Sequence, residues 1–488
     1  MDQLITQARA QFEQILSYIQ GEAQNQQLHE VEKGIFSSLL KIGLTLLTLF
    51  LQFKGIGRKD QIHTDKAGVK RPYHSIKHKA YHSIFGKMSI ARACYWAKGR
   101  HEVCPLDAEL NLPETEYSYT LQEWGSVLGA EEPYAKAAEF LETVLGTSLW
   151  GSSIETIINK SCVDVPKFYE KRQRPNAKTE EDILVATIDG KGVVMRKDQI
   201  AKSSPKKQLR KMRKIGERPK KPDGKKSKEK LGKKKMSTVI GVYTVAPNKR
   251  SPKALLSKGP QEEERPRPQN KVLQATLQSK ETGALRLKKE ILKRDPEKKK
   301  PSVALMDGEH KLRELIKTHL PWFLIIIDIY HVIEYLWKGA HIFHQANTPE
   351  AEHWVTDKLT YLLHGKIEEV IGKLKEMLKS LSKRKKALLQ KVITYLENGK
   401  EHMRYDTYIA KGYPVGSGVV EGACKNLVKD RMEQCGMRWT IAGAEAALSM
   451  RSIQINKMTN EYWRYHIAQE RQKLYGGLNE ENIEELVA

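Results

Sequence analysis

The sequence is poor in cysteine, in acidic residues and in long apolar runs, and each shortage argues against a class of protein. Its 488 residues include 5 cysteines, an odd and scattered set that is not the framework of a disulfide-rich secreted domain. The longest apolar run, residues 42–51, is shorter than the roughly 20 residues that cross a bilayer, so we expect a packed core helix and no membrane partner. The first residues lack the basic stretch of a secretory signal. We therefore expect a protein of a reducing cytoplasm.

Basic residues greatly outnumber acidic ones. The chain has 84 Lys and Arg against 59 Asp and Glu, a formal net charge of +25, and such an excess is typical of surfaces that bind polyanions. Much of it lies in a block within residues 197–235 that has almost no apolar residues and cannot form a core. This block is either a solvated linker or a basic arm that grips phosphates, and its position among the acidic motifs described below favours the arm. The expected DNA contacts in it are Lys206, Lys207, Arg210, Lys211, Arg213 and Lys214.

The first 178 residues divide into three regions by their pattern. Residues 1–82 have helical leucine spacing followed by a basic connector, and residues 83–115 alternate like a small β hairpin before two Pro-containing turns. Residues 116–178 predict short helices, with a break between one near 135–145 and another near 152–160. That spacing fits a helix-turn-helix that reads DNA, and it fits any small helical bundle equally well.

A different pattern begins near residue 182. Residues 183–188 form a continuous apolar run, as in a fully buried strand, and the run ends at Asp189. Because Asp-Gly is a common turn sequence, we expect residues 192–196 to return as the second strand of a hairpin. A further strand is expected after the basic block, and then a helix from about residue 271 to 292.

Acids follow two more apolar strands and one late helix. The strands end at Asp307 and Asp328, and residues 331–405 are helical in pattern throughout. A Gly-rich turn then leads into a helix that carries Glu421. Each acid has an ordinary structural interpretation, since Asp-Gly after a strand is usually a turn and a Glu near a helix start complements the helix dipole. Their order along the chain favours a shared site, because buried strands that end in acids are the layout of a ribonuclease-H-like nuclease.

The chemistry that such a site supports is cleavage of phosphodiester bonds. This reaction needs a deprotonated water and a stabilised leaving oxygen, and two divalent ions held by converging carboxylates supply both. Mg²⁺ prefers oxygen ligands and keeps several waters, so three carboxylates suffice. We expect two Mg²⁺ ions, with Mn²⁺ able to replace them.

The chain resembles the ISKra-type bacterial insertion-sequence transposases, within the wider group of DDE transposases that includes the Mutator-like and hAT elements. The resemblance covers essentially the whole chain. It is carried by Ser83-Ile-Phe-Gly86, Pro105-Leu-Asp107, Ile188-Asp-Gly-Lys-Gly192, Asp328-Ile-Tyr-His331, Gly416-Ser-Gly-Val-Val-Glu-Gly422, Lys429-Asp-Arg-Met432 and Gly436-Met-Arg-Trp-Thr440.

The resemblance implies a role for each acid. The metal ligands and catalytic residues would be Asp189, Asp307 and Glu421, with Asp189 shared by both ions. Asp328 and His331 match the Cys-or-Asp, two residues, then His pattern of the group, which gives them a supporting role. On its strand pattern alone Asp328 remains the alternative second ligand. From the last two motifs we expect further DNA contacts by Lys429, Arg431 and Arg438. The group often has a zinc-ribbon-like cysteine cluster, of which only Cys94 and Cys104 remain here, and no zinc is expected.

The expected fold is an α/β catalytic core, an RNase-H-like mixed sheet flanked by helices, with an all-α insertion before the last catalytic helix and a mainly helical N-terminal region with a small β hairpin. The expected domains are 1–82, helical with a basic connector; 83–115, the hairpin; 116–178, DNA-binding helices; 179–335, the first part of the catalytic core; 336–411, the all-α insertion; and 412–488, the Glu-bearing helix and C-terminal helices.

The expected function is that of a DNA transposase of an insertion sequence. It would bind the terminal inverted repeats and the target DNA in the bacterial cytoplasm, associated with the nucleoid, and would cleave and transfer strands as a homo-oligomer assembled on DNA. Two alternatives remain: an RNase-H-like nuclease without strand transfer, and a non-catalytic DNA-binding protein derived from a transposase.

Overall fold

The structure, a computed structural model, describes residues 2–65, 68–199, 234–256, 265–434 and 436–476. The basic block between residues 199 and 234, with the six expected DNA contacts named above, lies outside the described residues. The protein is a mixed α/β protein with two sheets among these residues, one of three antiparallel strands and one of five mixed strands. The chain divides into two compact units, one from residues 1–172 with 457–488 and one from residues 173–456.

The first unit is mainly helical and contains the three-stranded sheet. Strands β1 (Ile62–Thr64), β2 (Lys70–Ser83) and β3 (Gly86–Tyr95) pair in sequence order, and Gly86 has a φ of 134° at the tight turn between β2 and β3. The helices are Asp2–Gln20, Leu28–Lys54, Pro105–Glu109, Tyr119–Glu131, Tyr134–Leu145, Gly151–Ser161, Val165–Lys171 and Thr459–Tyr475. The two helices predicted near 135–145 and 152–160 are confirmed.

The second unit is built around the five-stranded sheet. Its strands are β4 (Ile183–Val194), β5 (Lys234–Val245), β6 (Gln269–Thr276), β7 (Ser302–Met306) and β8 (Leu324–Ile327), in the order β6-β5-β4-β7-β8. Strands β4, β7 and β8 are parallel, whereas β5 is antiparallel to both β4 and β6. The helices are Pro252–Leu256, Lys280–Arg294, His310–His319, Ile329–Phe343, Pro349–Leu363, Ile367–Leu378, Lys383–Gly399, Tyr405–Ala410, Gly418–Ala423, Asp430–Met432 and Ile441–Ile455.

The sheet is covered by helices on both faces, which explains why residues 183–188 of β4, residues 303–306 of β7 and strand β8 are apolar at nearly every position. Alternate residues of β4 enter two different cores. Ile183 and Val185 pack with the helices of residues 329–409, while Leu184 and Ala186 pack against the helices Lys280–Arg294 and His310–His319. Parallel strands buried on both faces place their carboxyl ends at one edge of the sheet.

Two expectations about the strands of this unit are wrong. Strand β4 does not end at Asp189 but continues to Val194, because β5 runs beside it over its whole length and pairs with it on both sides of Asp189-Gly190. The expected helix from residue 271 begins only at Lys280, because residues 269–276 form the edge strand β6 on β5.

Three expectations about the first unit are also wrong. The hairpin begins at Lys70, where a basic connector was expected, because residues 75–83 of β2 pair one by one with β3. Cys94 and Cys104 form a disulfide, whereas the scattered cysteines predicted a reducing environment. The helix Leu28–Lys54 is not a core helix, since Thr45 is its one buried residue. Among the described helices it alone is long and apolar enough to cross a membrane by length and composition.

Candidate active site

Three aspartates lie in one row across the parallel strands. In the pairing of β4 with β7, Thr187 is opposite Leu305, so two residues further on Asp189 stands beside Asp307. In the pairing of β7 with β8, Met306 is opposite Ile327, and the next positions are Asp307 and Asp328. Since neighbouring strands are about 4.8 Å apart, the register brings these three residues to one edge of the sheet.

Asp189 is fixed within a continuous strand. It pairs with Val239 of β5, and its side chain is partly exposed. One carboxylate oxygen accepts a hydrogen bond from the Gly190 amide, and the other accepts one from the Cys424 thiol at 3.2 Å. Burial and the nearby Asp189 carboxylate raise the pKa of the Cys424 thiol, so that it stays protonated and donates. The strand thus holds Asp189 rigidly, as a metal ligand requires.

Asp307 is held through its backbone while its side chain stays partly exposed. Its Oδ1 accepts a hydrogen bond from the Glu309 amide at 2.9 Å, and its carbonyl oxygen accepts one from the Tyr395 hydroxyl at 3.1 Å. Gly308 follows with a φ of 87°, which lets the chain turn away from the strand. Burial raises the pKa of the Asp307 carboxyl, and the neighbouring Asp189 carboxylate raises it further. Asp307 therefore stands in a site with excess negative charge that a cation would neutralise.

Asp328 has the opposite environment. It is fully buried, and its Oδ1 accepts from the Tyr330 amide at 2.7 Å, which caps the helix Ile329–Phe343. Its Oδ2 accepts from the Ser417 amide at 2.8 Å and also from the Ser417 hydroxyl. Both oxygens are therefore occupied by protein donors. This carboxylate ties the Gly-rich turn to the end of β8.

Glu421 comes to the same edge from the helix Gly418–Ala423, whose position near a helix start was predicted. Glu421 is an exposed residue. Partial burial of its carboxyl group raises the pKa of Glu421, and the nearby Asp328 raises it further. Within the described residues, oxygen or nitrogen atoms of Asp328, His331 and Glu421 lie within 4.8 Å of one another, a group that could hold a metal ion.

This grouping shares only Glu421 with the expected ligand set, since it has Asp328 and His331 where Asp189 and Asp307 were expected. Protein hydrogen bonds occupy both oxygens of Asp328, whereas Oδ2 of Asp307 has no hydrogen bond among the described residues. An ion would compete with three protein donors at Asp328 and with none at that oxygen of Asp307. Asp307 is therefore the more accessible of the two carboxylates, and Asp328 ties the turn before the Glu421 helix to the end of β8.

The segment that follows Glu421 has a structural role that the sequence did not reveal. Residues Cys424–Lys429 form a π-helical turn, a feature common at functional sites. Arg431, expected to contact DNA, is fully buried, with its guanidinium 4.8 Å from the centre of the Trp439 ring. Trp439 in turn hydrogen-bonds through its backbone with Val194 and Arg196 at the end of β4. Of the three residues expected to contact DNA here, Arg431 is thus buried within the protein, while Lys429 and Arg438 are exposed.

Sequence reasoning also missed the residues that support the acids. Ser417 lies in a motif that was noted only for its glycines, and Cys424 is three residues beyond Glu421. Nothing in the sequence pattern points to Tyr395, which reaches Asp307 from a helix of the insertion. No protein-family model matches the chain, and no curated protein matches it either.

Proposed function

We propose that this protein is a DNA transposase of an insertion sequence, of the ISKra type, with an RNase-H-like catalytic core. The observation that carries the proposal is the row of Asp189, Asp307 and Asp328 across three parallel strands, with Glu421 beside it on a later helix. The strand order β6-β5-β4-β7-β8 with one antiparallel strand next to β4, and the helices between β8 and Glu421, support this core.

The donor set suits Mg²⁺. Asp189, Asp307 and Glu421 offer carboxylate oxygens, which Mg²⁺ prefers, and all three are at least partly exposed and so open to an ion with its waters. Burial raises the pKa values of Asp307 and Glu421, and the nearby carboxylates of Asp189 and Asp328 respectively raise them further, a charge that a divalent cation would offset. Two such ions, when bound, activate the attacking oxygen and stabilise the leaving oxygen of the phosphodiester.

The protein's own contribution is to hold these oxygens in place. Asp189 would be fixed by β4, and Asp307 by the end of β7 and the Tyr395 hydroxyl. Asp328 would keep the turn before Glu421 at the end of β8 through Ser417. In this arrangement water would be the first nucleophile and the freed 3′-hydroxyl the second, both entering the same carboxylate cluster.

DNA would be gripped by the positive charge of the chain. The net charge of +25 favours a polyanion over a small neutral substrate. Lys429 and Arg438 are exposed close in sequence to Glu421 and are suited to contact the flanking phosphates. The ligands would be the terminal inverted repeats of the element and a target duplex.

The test is a strand-transfer assay with the DNA ends of the element that encodes the protein and a supercoiled plasmid. We expect cleavage that depends on Mg²⁺ or Mn²⁺, followed by joining of the 3′-hydroxyl end to the plasmid. Cleavage without joining would instead indicate a nuclease. Binding of the ends with no metal-dependent cleavage would indicate a non-catalytic DNA-binding protein. Asp182→Asn, at an exposed residue just before β4, is the matched control and should behave like the wild type.

A further inference from the structure

The helix Leu28–Lys54 has an apolar stripe that follows a seven-residue repeat. Residues at alternating steps of four and three along this helix are Leu28, Glu32, Ile35, Leu39, Ile42, Leu46, Leu49 and Phe53. Seven of the eight are large and apolar, and this set of seven is called the heptad stripe below. Such spacing keeps one seam of a helix facing a partner helix over its whole length.

The heptad stripe is exposed to solvent. Leu28 is 84% exposed, Leu39 51%, Leu46 49% and Phe53 61%, while Ile35, Ile42 and Leu49 are half-buried. Phe36 and Phe50, which flank the stripe, are exposed as well. Exposed apolar side chains in such a continuous row are unusual on a soluble surface and mark an interaction site.

Contacts within this chain cover parts of the helix on either side of the stripe. Thr45 is buried, a Cβ at Gly34 would collide with the Tyr18 ring, and one at Gly43 would collide with the Phe85 ring. Lys41 is exposed in the middle of the helix. A helix that crosses a bilayer is apolar on all sides, whereas the face of this helix opposite the stripe carries the exposed polar residues Lys33, Ser37 and Lys41.

The exposed area matches what a stable dimer buries. Six apolar residues of this helix are exposed, and the neighbouring helix Asp2–Gln20 adds Phe12, Leu16 and Ile19. Taking roughly 200 Å² for a full large side chain, these nine expose on the order of 900 Å², and a standard interface buries about 800 Å² per partner. The positions that flank the stripe are uncharged: His29, Phe36, Gly43 and Phe50 on one side, and Val31, Ser38, Thr45 and Gln52 on the other. Two copies of the stripe can therefore meet without like-charge repulsion along their flanks.

We propose that the heptad stripe pairs with the heptad stripe of a second copy of this chain. The protein is then a dimer in the absence of DNA and metal, held by its N-terminal helices. The stripe occupies the a and d positions of the seven-residue repeat. Large apolar residues directly after d positions, such as Phe36 and Phe50, favour a helix bundle that also includes Asp2–Gln20. This inference does not depend on the proposed catalytic function.

The test is the mass of the full-length protein in solution, measured by light scattering and sedimentation velocity in EDTA without DNA. We expect twice the chain mass of 55.8 kDa. The double variant Leu39→Glu/Leu46→Glu should weaken the dimer about 100-fold or more, because each substitution occurs twice in a symmetric interface. Leu46→Ala should weaken it by a smaller factor while keeping a good helix former. Ser37→Glu, exposed on the same helix outside the stripe, and Phe140→Glu, an exposed apolar residue elsewhere, should remain dimeric.

Three results would overturn the proposal. One is a wild-type protein that stays monomeric at micromolar concentrations. Another is a dimer that the double variant leaves intact while circular dichroism shows unchanged helix content. The third is co-flotation of the wild type, but not of the double variant, with vesicles of zwitterionic phosphatidylcholine, which would make a bilayer the occupant of the stripe. Neutral lipid is required here because a chain of net charge +25 binds anionic lipid without any stripe.

Discussion

The strand ends at Met306 and Ile327 lie side by side in one parallel register, and each is followed at once by an aspartate. The surroundings of the two carboxylates differ. Asp328 is buried, and its oxygens accept from Tyr330 and Ser417, whereas Asp307 is partly exposed and keeps one oxygen without a hydrogen bond among the described residues. The comparison teaches that position at a strand end does not make an acid a ligand. At these two strand ends the carboxylates differ in burial and in the number of protein donors at their oxygens.

The largest effect is expected when a ligand carboxylate is neutralised. Asp307→Asn or Asp189→Asn should lower the rate of metal-dependent cleavage on the order of 1,000-fold, because an amide holds a divalent cation far less well than a carboxylate. The thermal midpoint without metal should stay unchanged or rise, since like-charge repulsion is removed. Cleavage kinetics and thermal unfolding of the same preparations provide the measurement.

The variant Asp328→Asn distinguishes Asp307 from Asp328 as the metal ligand. If Asp328 rather than Asp307 binds the ion, this variant will abolish cleavage while Asp307→Asn stays active, and our ligand assignment is wrong. Asp182→Asn reports any general effect of removing one exposed carboxylate from this unit.

The second effect is on stability and belongs to Asp328. Asp328→Asn places an NH₂ group against an amide donor in a fully buried site, so we expect a loss of about 2–4 kcal/mol in the free energy of unfolding. Ser417→Ala removes only the hydroxyl donor and should cost about 1 kcal/mol. Urea unfolding in EDTA measures both. Equal stability of Asp328→Asn and the wild type would show that the buried network is not as described.

The sequence predicted the buried strands β7 and β8, the start of β4 and the placement of acids at or just after these apolar runs, because an apolar run that ends in a charged residue is a local pattern. It could not show that β4 continues past Asp189, since the reason is β5, which lies beyond the basic block. Asp-Gly favours a turn by local preference, but here it is part of a strand because the neighbouring strand β5 pairs with it. Long-range pairing overrode the local preference.

Local sequence patterns could not predict the hydrogen-bond donors around Asp328 either. Ser417 is separated from it by the whole helical insertion, and Tyr395 reaches Asp307 from inside that insertion. The same holds for Arg431, whose charge suggests DNA but whose side chain packs on Trp439. For the helix Leu28–Lys54, apolar composition suggested a core, and only the structure shows which side is covered.

The third effect concerns how the stabilisation of the protein by Mg²⁺ depends on pH. Burial and neighbouring acids raise the folded-state pKa of Asp307 and of Glu421. The stability that each contributes is fully present below the ordinary carboxyl pKa of about 4 and is lost as the pH rises through the folded-state value. Mg²⁺ replaces the proton, so the increase in thermal midpoint on adding Mg²⁺ should be largest near neutral pH and should shrink toward about pH 5.

The control for this experiment is NaCl at matched ionic strength, because salt alone alters a strongly basic chain. Asp307→Asn should lose most of the Mg²⁺-dependent increase. Asp328→Asn should start from a lower midpoint and still show an increase. The opposite order of the two variants would place the ion at Asp328.

The smallest effect is expected at Tyr395, whose hydroxyl donates to the carbonyl oxygen of Asp307 at 3.1 Å and whose ring stacks on Tyr335 at 3.7 Å. Tyr395→Phe keeps the stacked ring and removes one hydrogen bond, so the free energy of unfolding should fall by only about 1 kcal/mol. Because the lost bond positions a ligand, kcat for cleavage should drop several-fold and higher Mg²⁺ should partly restore it. Tyr408→Phe, at a buried tyrosine outside the site, is the matched control. If the two variants have the same Mg²⁺ dependence, the insertion does not brace Asp307 and the strand end alone fixes it.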